Sequence, residues 1–424
     1  MKRLILLTAL TITACGAWSQ DQPAKVTLRD ALRQALHGNP NVAAARRGED
    51  VAKARLRQAE IAEKPNVQLV SKYAYLSRPT VFGPMAVVDE HTETNSLVVT
   101  KPLNTWGRTD AAKQQARHGL DASGQETQAV EDEIAAGTAV AYLQALQARD
   151  SIRVAEESVL SLQRAAEDAR KLREAGAAAK ADVLRTEVEL ARARENVVKA
   201  RNAYHEALAA LKNAVGIPQS AEIEVTEEEL ELPLPPGPDF APRRADVAAL
   251  EAAVRAAEAG VEAAKRSGKP QLGAYADVQN IASGAHFPRR NNTVSVMLQF
   301  SMTVSDGGVT RAKVQEAEAQ LAQLRERLDA AKQKVEMEVR QARLQLDSAQ
   351  ARVAATETQV QSAEESLRVL EVGYREGVNT LTDVLAAQTA LEAARYARLA
   401  ALYDVQIAKV RLLRALGATA ELAQ

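Results

Sequence analysis

Between Ala141 and Ala169 the small and apolar residues fall at alternating spacings of four and three: Ala141, Ala145, Ala148, Ile152, Ala155, Val159, Leu162, Ala166 and Ala169. This is the seam of a coiled coil, and its alanines let helix backbones approach closely. Such a seam means helix packing and by itself says nothing about function. Proline marks how far the helical pattern extends. All 14 prolines lie at or before Pro102 or between Pro218 and Pro288. The stretches 103–217 and 289–424 therefore escape a penalty of about 3 kcal/mol per interior proline, and Ala, Leu, Glu, Gln, Arg and Lys dominate both. From Arg108 to Glu174 the sequence predicts one helix, roughly 100 Å long at about 1.5 Å per residue.

A second rhythm has period two. Val67, Leu69, Tyr73 and Tyr75 alternate with Gln68, Lys72 and Ala74, and Val294, Val296, Leu298, Phe300 and Met302 alternate with Thr293, Ser295, Met297, Gln299 and Ser301. That alternation predicts strands at about 66–77 and 292–303, with less regular partners at about 94–103 and 270–280. Each pair is a hairpin, with loops near 78–93 and 280–291 rich in turn formers.

The two rhythms occur twice. Sliding the chain on itself by 201 residues places Gly107 on Gly308, Gly176 on Gly377, Asp182-Val183-Leu184 on Asp383-Val384-Leu385, and Gly216 on Gly417. A fixed offset over so long a stretch indicates an internal duplication. The chain divides into a first repeat, 20–216, a proline-rich extended linker, 217–243, a second repeat, 244–418, and a tail, 419–424. Helical hairpin tips are expected at about 175–181 and 376–382, where the glycines break the helix.

Composition narrows the function. The net charge of −1 lacks the basic excess that nucleic-acid binding needs. Five scattered histidines offer no metal-ligand spacing, and one cysteine allows no intramolecular disulfide. No Gly-rich phosphate loop, His-Glu-x-x-His or Gly-x-Ser-x-Gly motif appears, so nothing points to catalysis or to a cofactor. The N-terminus reads as an export signal over 1–19: Lys2 and Arg3 precede the apolar run Leu4–Ile12, too short to span a bilayer. Two cleavage readings stand. Ile12-Thr13-Ala14-Cys15 resembles a lipoprotein box that would end the signal at 14 and lipidate Cys15, whereas Ala17-Trp18-Ser19 fits cleavage before Gln20.

Four strands with one apolar face cannot stand alone in lipid, because open edges leave backbone groups unpaired. They cannot close by themselves either, since the smallest membrane barrels use about eight strands. Copies must pool strands, and three copies supply twelve, enough to enclose a lumen above a tube of helices. The competing reading is an exported coiled-coil scaffold that never enters a membrane and carries a small soluble sheet. It gives no reason for two alternating hairpins.

Several motifs now converge: "TLRDALRQALHGNPNV" at 27–42, "KPLNTWGR" and "TVSDGGVTRA" after strands, both Gly-x5-Asp-Val-Leu breaks, and "LKNAVGIP" with "LLRALGA" closing the halves. With them the chain resembles the TolC family of outer-membrane efflux proteins over essentially its whole mature length. The resemblance implies a mainly α protein with membrane β: a homotrimer with a twelve-strand barrel in outer-membrane lipid and a twelve-helix periplasmic tunnel. It also implies an equatorial position for 217–243, a periplasmic adaptor, and an inner-membrane pump of RND or ABC type. The expected role is a passive exit duct for efflux in a Gram-negative bacterium, with type I protein secretion as the alternative.

The resemblance also assigns the tips. Gly176 and Gly377 would lie at the periplasmic end, where an adaptor docks. Asp383, repeated three times around a narrowing lumen, would form a charged constriction, while simple helix capping is the plainer role for it and for Asp182. Tyr374 matches a latch tyrosine and Asp182 its acceptor. Two departures matter: Asn379 stands where well-known members carry a latch arginine, and Ala386 where they carry a second acidic residue.

Overall fold

The computed structural model of the chain describes residues 24–82, 85–88, 90–176, 178–227, 232, 237, 242–283, 289–419 and 422. The segment read as an export signal, with Cys15, and residues 228–231, 233–236 and 238–241 of the proline-rich linker lie outside the described residues.

The chain begins with β1 (Ala24–Val26) and α1 (Leu28–Gly38), whose first turn is capped by Thr27 Oγ1 accepting the Asp30 N–H at 3.2 Å. Asn39 ends α1 and starts α2 (Pro40–Ile61) by accepting the Asn41 N–H at 2.8 Å. Pro40 sits at the first helical position, where its missing donor costs nothing. There follow β2 (Asn66–Tyr75), β3 (Thr80–Phe82), β4 (Met85–Val88) and β5 (His91–Asn104), then α3 (Arg108–Glu174) and α4 (Lys180–Val215). The second half adds β6 (Ile223–Val225), α5 (Ala245–Arg266), β7 (Gln271–Ser283), β8 (Arg289–Ser301), α6 (Val309–Arg375) and α7 (Leu381–Leu416). Helices α3 and α6 are each 67 residues long, and α4 and α7 are each 36.

The long helices lie side by side. Near the sheet the order is α2, α3, α5, α6, and towards the far tips it is α4, α3, α7, α6. Every residue of the α3 seam from Ala141 to Ala169 is buried or half-buried. The outer flanks differ. Apolar Leu184, Val188 and Val198 on α4, and Met337, Leu344 and Val369 on α6, are exposed.

The largest core lies at mid-height, where Leu32, Tyr142, Leu143, Leu146, Leu211, Leu413 and Leu416 are fully buried. Here β1 pairs parallel with β6, so the linker contributes a strand. The Tyr142 hydroxyl ties that ribbon to α3. It lies 2.8 Å from the Val26 carbonyl and 2.5 Å from that of Thr226, and it accepts the Thr226 N–H at 3.2 Å. Helix α4 ends at Gly216, whose φ of +81° belongs to the left-handed region, and a Cβ there would stand 2.9 Å from Asn39 Cα. The segment read as a tail is anchored: Thr419 is buried with its hydroxyl on Asp132, and Leu422 joins the core.

The sheet is antiparallel in the order β2-β5-β7-β8. Its register sorts side chains onto two faces. Val67, Val99, Ala276 and Val296 form one cross-strand row, and Leu69, Leu97, Val278 and Val294 the next on the same face. The opposite face carries Gln68, Val98, Asp277 and Ser295, then Val70, Ser96, Gln279 and Thr293. The first face thus carries an apolar band that gives way, one row beyond Leu69, to Ser71, Asn95, Asn280 and Asn292, and the other face is mixed. Strand limits differ from expectation by two or three residues. Strand β2 stops at Tyr75, β5 already pairs at His91 (opposite Tyr75), and β7 and β8 pair as far as Ser283 and Arg289. Backbone pairing runs on into the turn-forming residues, and the expected loop 78–93 contains the small β3–β4 hairpin.

Removing the Tyr142 hydroxyl takes the shared donor from the half-buried carbonyls of Val26 and Thr226. Tyr142→Phe should lower stability by about 1–3 kcal/mol, seen as a lower melting temperature by circular dichroism; an unchanged melt would contradict this anchoring role.

Candidate functional site

At the end far from the sheet, two helical hairpins turn through Gly176 and Gly377, with φ of +78° and +77°. Both glycines are exposed, as are Ala175 and Ala179; Ala177 lies outside the described residues. The second tip closes with the Val378 and Asn379 N–H groups donating to Gly373 O at 2.7 and 3.1 Å. Val378 projects outward, 78% exposed. Asn379 is half-buried and its side chain folds back over Gly373, so it serves its own turn.

Helix α7 starts with a reciprocal capping box. Thr380 Oγ1 accepts the Asp383 N–H at 3.3 Å, while Asp383 Oδ2 accepts the Thr380 N–H at 3.1 Å and its hydroxyl at 2.6 Å. These donors, the hydroxyl first, hold the Asp383 carboxyl below the usual aspartate range. Capping leaves Asp383 exposed to solvent, and Ala386, one turn on, is exposed beside it. Asp182 makes the equivalent bond in α4, accepting the Ala179 N–H at 3.3 Å.

The hydrogen bond expected between Tyr374 and Asp182 is not formed in this structure. Among the described residues the buried Tyr374 hydroxyl has no hydrogen-bond partner, and Asp182 is turned to its own helix start and to Arg185, 4.0 Å away. Burial first, then the nearby charges of Asp182 and Asp168, push the Tyr374 pKa up. Other residues join the hairpins instead. Arg185 donates to Thr382 Oγ1 at 3.5 Å, and Arg375 lies 3.7 Å from Asp168. Further up, Glu392 accepts from Ser158 at 2.8 Å and Asn196 at 3.4 Å, and Arg395 pairs with Glu157 and Glu364. A cavity of about 390 Å³ lies between α4 and α7, lined by Leu162, Gln388 and Glu392 among others. Sequence reasoning passed over Arg185 and Arg375, although each stands within three residues of a residue it had singled out.

Among the described residues no group of three or more His, Cys, Asp or Glu side chains is placed to hold a metal ion. Among the described residues no helix is long and apolar enough to cross a membrane. The surface that suits lipid is the apolar face of the sheet. Such a sheet, joined to helices of about 100 Å that end in capped tips, defines an outer-membrane channel. The chain belongs to the outer membrane efflux protein family, which it matches over residues 31–217 and 239–418. TolC of Escherichia coli is 23% identical over 98% of this chain and 87% of its own length. In fold, the chain is similar to the outer-membrane channel OprN, with a TM-score of 0.81 at 20% identity over 92% of this chain and 90% of that one. The CmeC outer membrane channel of Campylobacter jejuni gives 0.80 at 15% identity over 99% and 94%. The family resemblance drawn from the sequence is borne out, and the protein resides in the outer membrane with a periplasmic extension.

Because the folded-state pKa of Asp383 is depressed, its capping stabilisation is complete above the ordinary carboxylate pKa and is lost as pH falls through the lower value. Hydrogen exchange in the first turn of α7, corrected for intrinsic rates, should therefore speed up as pH falls below the ordinary aspartate range. Thr380→Val should speed it already at neutral pH. Identical exchange in the two proteins would contradict the capping assignment.

Proposed function

We propose that three copies of this chain form one duct: a twelve-strand barrel in the outer membrane continuing into a twelve-helix periplasmic tube. It passively conducts cargo handed over by an inner-membrane pump through a periplasmic adaptor. The observation that carries this is the open sheet. Strands β2 and β8 are its two edges, each unpaired on its outer side among the described residues, and both belong to an apolar face. In hydrocarbon every unpaired N–H and C=O costs several kcal/mol, so each β2 must meet the β8 of another copy. The exposed apolar flanks of α4 and α6 fit the same neighbour, and the matched helix lengths fit a duplicated unit, 20–216 and 244–418.

The narrow end is gated at the tips. Asp383, exposed at the start of α7, recurs three times around the axis, and three carboxylates brought together attract multivalent cations. Tyr374 carries a buried hydroxyl without a partner beside Asp182, and closure gives it that carboxylate as acceptor. With Asn379 folded into its own turn and Ala386 uncharged, fewer groups hold the tip shut than in relatives with an arginine and a second acid at these positions. The exposed turns at Gly176 and Gly377 meet the adaptor.

Planar-bilayer recordings test the constriction. Hexamminecobalt added from the periplasmic side should block the wild-type pore. Asp383→Asn should weaken the block by tenfold or more, about 1.4 kcal/mol or above; retained block would place the charge elsewhere. Tyr374→Phe should raise single-channel conductance, and an unchanged value would count against the latch.

A further inference from the structure

Where the sheet meets the helices, its apolar face does not end cleanly. Leu103, Trp106, Phe300 and Met302 are all exposed there, and Trp106 stands edge-on to Phe300 with ring centroids 6.1 Å apart. Trp106 has a left-handed φ of +49°, held by its N–H donating to Asn104 Oδ1 at 2.8 Å. That conformation is unfavourable for a bulky residue and fixes the ring against the strand ends.

Four cations surround this rim. Lys64 lies two residues before β2, Lys269 two before β7, and Arg311 in the first turn of α6. Lys101 is within β5, on the apolar face, opposite Ala274 and between Val99 and Leu103 in the alternation. All four are exposed, and none makes an ion pair among the described residues. The carboxylates of the zone are mostly satisfied. Glu63 accepts from Lys113 at 2.8 Å and Thr109 at 2.7 Å, and Glu262 lies 3.2 Å from Lys265. The Thr310 hydroxyl first, then the N–H groups of Thr310 and Gly308, hold the Asp306 pKa at about 2. Glu60 and Asp306 carry carboxylates in this zone without an ion pair among the described residues, two negative charges against the four cations. The rim is therefore a ring of aromatic and apolar side chains carrying uncompensated positive charge.

An ammonium on a lipid-facing strand is tolerated only if its stem runs along the apolar surface and its head reaches phosphate or water. Aromatic side chains at the same level sit among headgroups. We propose that Lys64, Lys101, Lys269 and Arg311 form a collar that binds anionic phospholipid headgroups of the periplasmic leaflet. The ligand is a lipid phosphodiester with net negative charge, such as phosphatidylglycerol, in preference to zwitterionic phosphatidylethanolamine. The inference rests on the duct reading, which places the sheet in the bilayer. It adds a lipid-selective contact at the boundary where barrel and tube join.

The test titrates purified full-length protein in neutral detergent with phosphatidylglycerol or phosphatidylethanolamine, counting bound lipids by native mass spectrometry. Each surface cation favours an anionic headgroup by roughly fivefold, so phosphatidylglycerol should bind at least that much more tightly. The preference should shrink at about 1 M salt, where the screening length is about 3 Å. The variant Lys64→Gln/Lys101→Gln/Lys269→Gln/Arg311→Gln should lose it, while Lys171→Gln/Lys199→Gln, on the helices far from the sheet, should keep it. Should the fourfold variant fail to assemble, Lys101→Gln alone should lower the preference by severalfold. Equal binding of the two lipids by the wild type, or an unchanged preference in either rim variant, overturns the collar. Conductance of the same preparations separates the two ideas: a conducting pore without lipid preference rejects the collar only, and no pore in any lipid rejects the duct.

Discussion

A sheet in hydrocarbon must have no edge. Water satisfies the outer N–H and C=O groups of an edge strand in a soluble protein, but the bilayer core offers them nothing. This chain supplies four long strands with an apolar band on one face, and among the described residues its β2 and β8 edges are bare. Everything else is arranged so that copies can remove those edges for one another. The strands lead directly into α3 and α6 through turns at Gly107 and Gly308, whose left-handed φ angles let the chain pass from pleat to helix within a few residues. Closing the strands into a cylinder therefore sets the helices as staves of a second cylinder beneath it.

The stave helices serve that geometry by being thin at their contacts. Alanines at Ala145, Ala155, Ala166 and Ala169 are buried where α3 meets its neighbours, and larger residues gather in the mid-height core around Tyr142 and Leu416 and in a smaller cluster of Val360, Leu367, Val384 and Leu391 nearer the tips. The molecule is braced at its middle by β1, β6 and the Tyr142 hydroxyl, and joined near its tips mainly by polar contacts such as Arg375 with Asp168. Exposed ion pairs of that kind contribute less than about 1 kcal/mol each. A rigid waist with weakly tied ends fits a tube that opens at one end without coming apart.

Much of this was legible in the sequence, for physical reasons that differ by element. The long helices were written in the absence of proline and the spacing of the α3 seam, and their ends in Gly107, Gly176, Gly308 and Gly377. The strands were written in period-two alternation, but their limits were not, because backbone pairing at His91 and Ser283 does not depend on side-chain type. The β3–β4 hairpin, with strands of three and four residues, and the docking of Thr419 and Leu422 left no trace in the pattern, because segments this short carry no periodicity. At the tips the capping role of Asp182 and Asp383 followed from local spacing. Which groups meet across hairpins about two hundred residues apart in sequence did not. Arg185 with Thr382, Arg375 with Asp168, and the free Tyr374 hydroxyl emerge only from how the helices pack.

The account stands or falls on whether copies share one pore wall. Protein extracted from outer membranes in mild detergent and weighed by native mass spectrometry should be a complex of three chains, with no stable smaller species until it is denatured. A single chain, stable and monodisperse in water without detergent, would contradict it.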